Sequence, residues 1–214
     1  NVLNRKQTWG IALMFCAAGL ILGAMMVFLR EPSIFWLGTV ALVLGWSYHG
    51  PPLQLAYRGL GELDVVLIYG PVIALATYAL LTHQYHTDVI WASLPLGLFI
   101  AAFLWVNEFP DYEADRSVGK NNLVVLLGKH RASRVLPVIY LAGLALLFLA
   151  VALGSIHRLA LLGFVAAIPA TFAVWWTWQN PLSFYRQRPV QPLALLAFVL
   201  LSAGITTGIF LGGR

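Results

Sequence analysis

The chain has 214 residues, 60% of them hydrophobic and only 10% charged, with a mean hydropathy of +0.82; a water-facing surface normally takes about 25% charged residues. Its single cysteine, Cys16, excludes an internal disulfide scaffold, and its Gly and Pro contents exclude a collagenous or disordered chain. The net charge of +5 then reads as membrane topology rather than a nucleic-acid footprint, which makes this an integral membrane protein with no nucleic-acid partner.

A spanning helix needs about 20 apolar residues, and seven runs approach that length: 9–29, 33–48, 65–82, 89–106, 135–154, 159–178 and 193–211. None alternates strictly, so a β-barrel is not expected. The first run follows Arg5 and Lys6, but it outlasts the apolar region of a signal peptide and lacks a small-x-small cleavage site. The second is the shortest. Pro71, Pro95 and Pro169 fall inside later runs and are expected to kink them and open a cavity. The expected fold class is all-α, a multi-span transmembrane helical bundle of about seven spans, forming one domain over 1–214.

Alternating sides place Arg5, Lys6, Arg58, Arg116, Lys120, Lys129, Arg131, Arg134, Arg186 and Arg188 with the N-terminus, and Arg30, Arg158 and Arg214 opposite. The positive-inside rule makes the first side cytoplasmic. Tyr48, Trp91, Trp105, Trp175, Trp176 and Trp178 sit near span ends, as interfacial aromatics do. Outer connections are short, whereas the inner ones, 49–64, 107–134 and 179–192, are long and hold Glu62, Asp64, Glu108, Asp111, Glu113 and Asp115. Long ordered connections carry function disproportionately. His83 and His86, on the outer side, have ligand-like spacing but no expected carboxylate nearby except Asp88. Cys16 reads as a packing residue.

The stretch Asn107-Glu-Phe-Pro-Asp-Tyr-Glu-Ala-Asp-Arg-Ser-Val-Gly-Lys120 is the richest in chemistry. On a helix, Asp111 and Asp115 share a face with about 5–6 Å between Cβ atoms, and Asn107 extends that face. Like charges so placed repel, and a divalent cation reverses the sign. Mg²⁺ suits the pattern, since it takes one or two carboxylates, keeps waters and completes its shell with substrate phosphates. The alternative is a solvated loop in which the carboxylates neutralise Arg116 and Lys120.

The run NEFPDYEADRSVGKNNLVVLLGK resembles the second aspartate-rich motif of the UbiA superfamily of intramembrane aromatic prenyltransferases, DxxxD followed by Gly-Lys and an apolar run ending in Leu-Gly. Asp111 and Asp115 fall on the two aspartates, Gly119 and Lys120 on the Gly-Lys pair, and Leu127 and Gly128 on the closing Leu-Gly. The first inner connection, Tyr48-His-Gly-Pro-Pro-Leu-Gln-Leu-Ala-Tyr-Arg-Gly-Leu-Gly-Glu62, is similar to a segment of the menaquinone-pathway branch. Family members have about nine helices and a first, NDxxDxxxD-like motif after the second. No such cluster occurs in this chain, which is therefore expected to correspond to the C-terminal three quarters of a member, lacking the first two helices.

The resemblance implies Mg²⁺-dependent transfer of a prenyl chain from a polyprenyl diphosphate to an aromatic acceptor, dihydroxynaphthoate being the best guess, within the lipid bilayer of a prokaryotic plasma membrane. Asp111 and Asp115 would be catalytic and hold the metal. Asn107, Arg116, Lys120, Arg58 and Tyr48 would bind substrate, with Lys120, Arg116 and Arg58 taking up charge on the departing oxygens. Glu62 or Glu108 would assist proton removal or position loops. Tyr48, Tyr57, Phe109 or Tyr112 would face the allylic cation. Relatives that act on hydroxybenzoate, glycerol-phosphate lipids, chlorophyllide or heme share the aspartate motif, so the acceptor stays open. A truncated or non-catalytic membrane component is the rival reading. The DG-x-x-AR pattern of CDP-alcohol phosphotransferases is missing, as is a second acidic segment of the kind an inverted-repeat transporter carries.

Overall fold

The computed structural model describes residues 4–179, 181–182 and 189–213, and all its regular structure is helical. Arg186, Arg188 and Arg214, and most of the last inner connection, lie outside the described residues. Helix α1 (Arg5–Leu29) opens with a capping box: the Asn4 side chain accepts the Gln7 N–H, and the Gln7 side chain accepts the Asn4 N–H. It buries none of its residues. Cys16, expected to pack, is exposed on it, because no other helix among the described residues covers that face. Helix α2 (Ile34–His49) has 16 residues, about 24 Å at 1.5 Å per residue, short of the ~30 Å hydrocarbon core.

Among the described residues, six helices are long and apolar enough to cross a membrane: α1, α3 (Gly61–Thr82), α4 (Thr87–Ser117), α6 (Lys129–Ala152), α7 (Arg158–Gln179) and α8 (Val190–Gly212). The short α2 is the seventh expected run, and the five-residue helix α5 (Leu123–Leu127) sits between α4 and α6. Of the prolines, Pro71 accompanies a break: α3 widens into a π turn at Ile68–Val72, and Gly70 leaves helical geometry at φ −95°, ψ −107°. Pro95 sits buried within the continuous α4, and Pro169 lies near the junction where α7 passes from a 3₁₀ segment (Arg158–Ala166) into α-helix.

The core lies among α4, α6, α7 and α8. Phe99, Leu136, Leu147 and Leu201 are fully buried there, and Phe99 meets Tyr140 edge-on with ring centroids 5.0 Å apart. Trp105, expected at the interface, is 2% exposed and donates its indole N–H to the Ala132 carbonyl at 3.1 Å; its position near a run's end marked the end of an apolar stretch, not of the helix. On α8, Gly204 lies against the backbone of Leu162 and Gly163, and Gly208 against that of Leu159 and Ala160. The other Gly-x-x-x-Gly pair, Gly19 and Gly23 on α1, has open space beside both residues.

The connections between α1 and α2 and between α3 and α4 are tied together. His83 Nδ1 lies 2.6 Å from Glu31 Oε2, Ser33 donates its hydroxyl to Glu31 Oε1 at 2.6 Å, and the Tyr85 hydroxyl is 2.7 Å from that of Ser33. The Ser33 hydroxyl, then His83, hold the Glu31 carboxyl below the usual carboxylate range. His83 thus has a carboxylate neighbour that its spacing did not reveal, because Glu31 lies 52 residues away.

Candidate active site

The connection expected over 107–134 is shorter than the sequence suggests. Helix α4 runs on for 31 residues through Pro110 to Ser117, about 46 Å, so it outlasts the hydrocarbon core by roughly 16 Å. Asn107, Asp111 and Asp115 therefore share a helix face in the folded chain. The helix ends where Val118, Gly119 and Lys120 donate N–H groups back to it, with Gly119 at φ 72°, and α5 begins shortly after Lys120.

Asp115 is the hub of this turn. Its Oδ2 accepts from Lys120 Nζ at 2.9 Å and from Asn122 Nδ2 at 2.9 Å, and Asn122 in turn caps α5 by accepting the Val125 N–H at 2.8 Å. Asp111, one turn back, is exposed, as is Arg116. Asn107 is engaged: its amide donates to the Phe103 carbonyl at 2.8 Å and accepts from Gln191 Nε2 at 2.5 Å.

The connection between α2 and α3 folds against this turn. Glu62, 5% exposed at the start of α3, accepts the Leu123 N–H through Oε1 at 2.7 Å, satisfying one of the open donors at the N-terminus of α5. Gly59, at φ 68°, brings its backbone under Leu126 and Leu123. Glu108 is buried against Glu62. The carboxyls of Glu108, Glu62, Asp64 and Asp115 all act electrostatically on the half-buried Tyr48 hydroxyl. Arg58 is exposed and donates to the Pro52 carbonyl at 3.0 Å.

Replacing Glu62 by Ala removes the acceptor of a partly buried N–H and should lower stability by about 2 kcal/mol; Glu62→Gln, which keeps a carbonyl oxygen there, should restore most of it. Thermal melts of the two variants in one detergent decide this, and equal losses would remove the Leu123 hydrogen bond as the cause.

Beside these groups lies a cavity of about 500 Å³, walled by α2, α3 and α4 and lined by Tyr48, Asp64, Tyr69, Asn107 and apolar side chains that include Ile68, Ile100 and Phe103. Of the four aromatics expected at a reacting carbon, Tyr48 lines it. Phe109 is fully buried, and the Tyr112 ring carries Lys129 Nζ 4.9 Å from its centroid.

Sequence reasoning brought together Asp111, Asp115, Lys120 and Asn107. It missed Asn122, Gln191 and Tyr69. Asn122 had a usable signal, an Asn directly before a short apolar run; Gln191 had none, its partner lying 84 residues away.

The donor set bears on a metal. Among the described residues no three His, Cys, Asp or Glu side chains converge as an all-protein metal site. Mg²⁺ needs less, one or two carboxylates with waters and phosphate oxygens. Asp111, which is exposed, and Asp115 on one helix face meet that need, with Lys120 beside Asp115. The residues fit a divalent cation.

The chain is 33% identical to the 2-carboxy-1,4-naphthoquinone phytyltransferase of Synechocystis sp. over 62% of its own length and 44% of that protein's. It is 31% identical to the 1,4-dihydroxy-2-naphthoate octaprenyltransferase of Haemophilus influenzae over 95% of its length and 69% of the relative's, and 28% identical to the protein of that name from Bacillus subtilis over 63% and 43%. It thus spans from under half to about two thirds of these relatives. No solved structure matches the chain. The family model for UbiA prenyltransferases matches residues 1–202, a run that begins before α1 and ends within α8, and the chain therefore belongs to the UbiA prenyltransferase family.

Proposed function

We propose that this protein transfers a prenyl chain from a polyprenyl diphosphate to an aromatic acceptor inside the membrane, with a dihydroxynaphthoate as the acceptor. The observation that carries the reading is the Glu62–Leu123 hydrogen bond: it joins the two inner segments that resemble the family motifs into one site, with the cavity alongside. The naphthoate and naphthoquinone relatives supply the acceptor class.

Diphosphate leaves poorly until its charge is neutralised. Lys120 gives one of its three donor hydrogens to Asp115, which leaves two for phosphate oxygens, and the exposed Arg116 adds a second cation one residue beyond Asp115. Arg58, tied to Pro52 through one guanidinium nitrogen, keeps its other donors. Mg²⁺, when bound, would be held by Asp111 and Asp115 and would neutralise the leaving diphosphate. Tyr48 lines the cavity where an allylic cation would be exposed and would offer it a π system, while the apolar lining keeps water from capturing it.

The test is prenyl transfer in membranes containing the protein, with radiolabelled prenyl diphosphate, dihydroxynaphthoate and Mg²⁺. Labelled prenyl-naphthoate that disappears with EDTA is the expected result. Absence of product with every aromatic acceptor, together with absence of Mg²⁺-dependent diphosphate binding, overturns the reading.

A further inference from the structure

We infer that Asp64 is a specificity-determining residue, accepting a hydrogen bond from a ring hydroxyl of the aromatic acceptor within the α2–α3–α4 cavity. This rests on the prenyl-transfer reading for the identity of the ligand, and on Asp64's own surroundings for the rest.

Asp64 is 3% exposed, and neither of its carboxyl oxygens has a hydrogen-bond partner among the described residues. It differs in this from its acidic neighbours: Glu62 engages Leu123 through Oε1, and Asp115 is held by Lys120 and Asn122. A structural role for Asp64 would be to complement the N-terminus of α3, where it lies in the first turn. That effect is worth about 0.3–1 kcal/mol, whereas leaving a buried polar group without a partner costs about 1–3 kcal/mol, more for a charge. The fold bears a net cost at Asp64 that a ligand would remove.

The ligand's chemistry follows from the acceptor oxygens of the site. An ionised carboxylate only accepts, and a protonated one still keeps an oxygen that accepts, so a donating partner suits Asp64 in either state. Asp64 shares the cavity with Tyr48, Tyr69 and Asn107 on otherwise apolar walls, and a volume near 500 Å³ suits a small ring system with a few convergent polar groups. A hydroxylated aromatic ring supplies both the apolar body and the O–H. A prenyl diphosphate has an apolar chain but no ring O–H to give, and its head of acceptor oxygens repels a carboxylate. Asp64 therefore marks the acceptor end of the cavity, and Asp111, Asp115 and Lys120 mark the diphosphate end. A carboxylate on the acceptor ring would turn away from Asp64 for the same reason.

The test uses the protein in lipid nanodiscs and equilibrium binding of 1-naphthol and 1-methoxynaphthalene, corrected for empty nanodiscs. These probes differ in the one donor hydrogen. The wild-type protein should prefer 1-naphthol by about tenfold. Asp64→Leu should erase the preference without weakening 1-methoxynaphthalene, and Asp64→Asn, which keeps a carbonyl oxygen, should retain part of it. Unchanged 1-methoxynaphthalene binding shows that the cavity of each variant is folded. A wild-type protein with no preference, or an Asp64→Leu variant that keeps it, overturns the inference. Mg²⁺-dependent binding of prenyl diphosphate, measured on the same samples, should be the same in all three proteins. Its loss throughout would sink the prenyl-transfer reading while the naphthol preference still decides Asp64.

Discussion

Asp111→Ala should reduce prenyl transfer by about 10²–10³-fold, the range typical of removing one electrostatic group from a reacting centre, while leaving the thermal stability of the protein unchanged. Asp111 is exposed on the C-terminal extension of α4, so no packing among the described residues depends on its carboxylate, and removing it relieves a like-charge pair with Asp115. Asp115→Ala should lose as much activity and also about 1–3 kcal/mol of stability, because Lys120 Nζ and Asn122 Nδ2 both lose their acceptor and the turn into α5 depends on them. The pair looks symmetric in the sequence and is not symmetric in the fold. Initial rates and thermal melts of both variants separate the two roles. Full activity in Asp111→Ala would remove that carboxylate from the chemistry.

Gly208→Leu should destabilise the bundle by about 3 kcal/mol or more, since overpacking of this kind moves backbone and not only side chains. A single Cβ at position 208 already meets the backbone of Leu159 and Ala160, and one at 204 meets Gly163. Gly204 and Gly208 thus let α8 lie directly on the 3₁₀ segment of α7, the packing that small residues four apart permit. Gly19→Ala or Gly23→Ala on α1 should be neutral or mildly stabilising, by up to about 1 kcal/mol, because nothing lies within 4 Å. Thermal inactivation of the three variants side by side checks the contrast, and a Gly208→Leu protein as stable as Gly23→Ala would contradict the packing described.

The spans were legible because apolar runs of bilayer length leave little choice of structure; the membrane class, the helix order and the short α2 all come from hydropathy. What hydropathy conceals is where a helix continues into polar sequence. Residues 107–117 read as the start of a long connection because they follow the apolar run and are rich in charge, yet α4 carries them as a helix to Ser117. The Asp111–Asp115 spacing could be read because it is local. The contacts that turn two segments into a site could not: Glu62 reaches Leu123 across 61 residues, and Gln191 reaches Asn107 across 84. Asp64 was visible only as one of several inner acids; its distinction is a lack of partners, which only the packed chain defines.

The break in α3 gives the cavity two walls of different construction. Helix α4 is continuous from Thr87 to Ser117, so Asn107, Asp111 and Asp115 keep a fixed spacing along its axis. The facing wall is interrupted at Gly70, which separates Gly61–Leu67, carrying Glu62 and Asp64, from Ile73–Thr82. Gly97 and Gly70 bring the backbones of the two walls close at that point. The interruption lets Gly61–Leu67 take the direction that the Glu62–Leu123 hydrogen bond requires while Ile73–Thr82 takes another, so the two halves of one span are aimed separately.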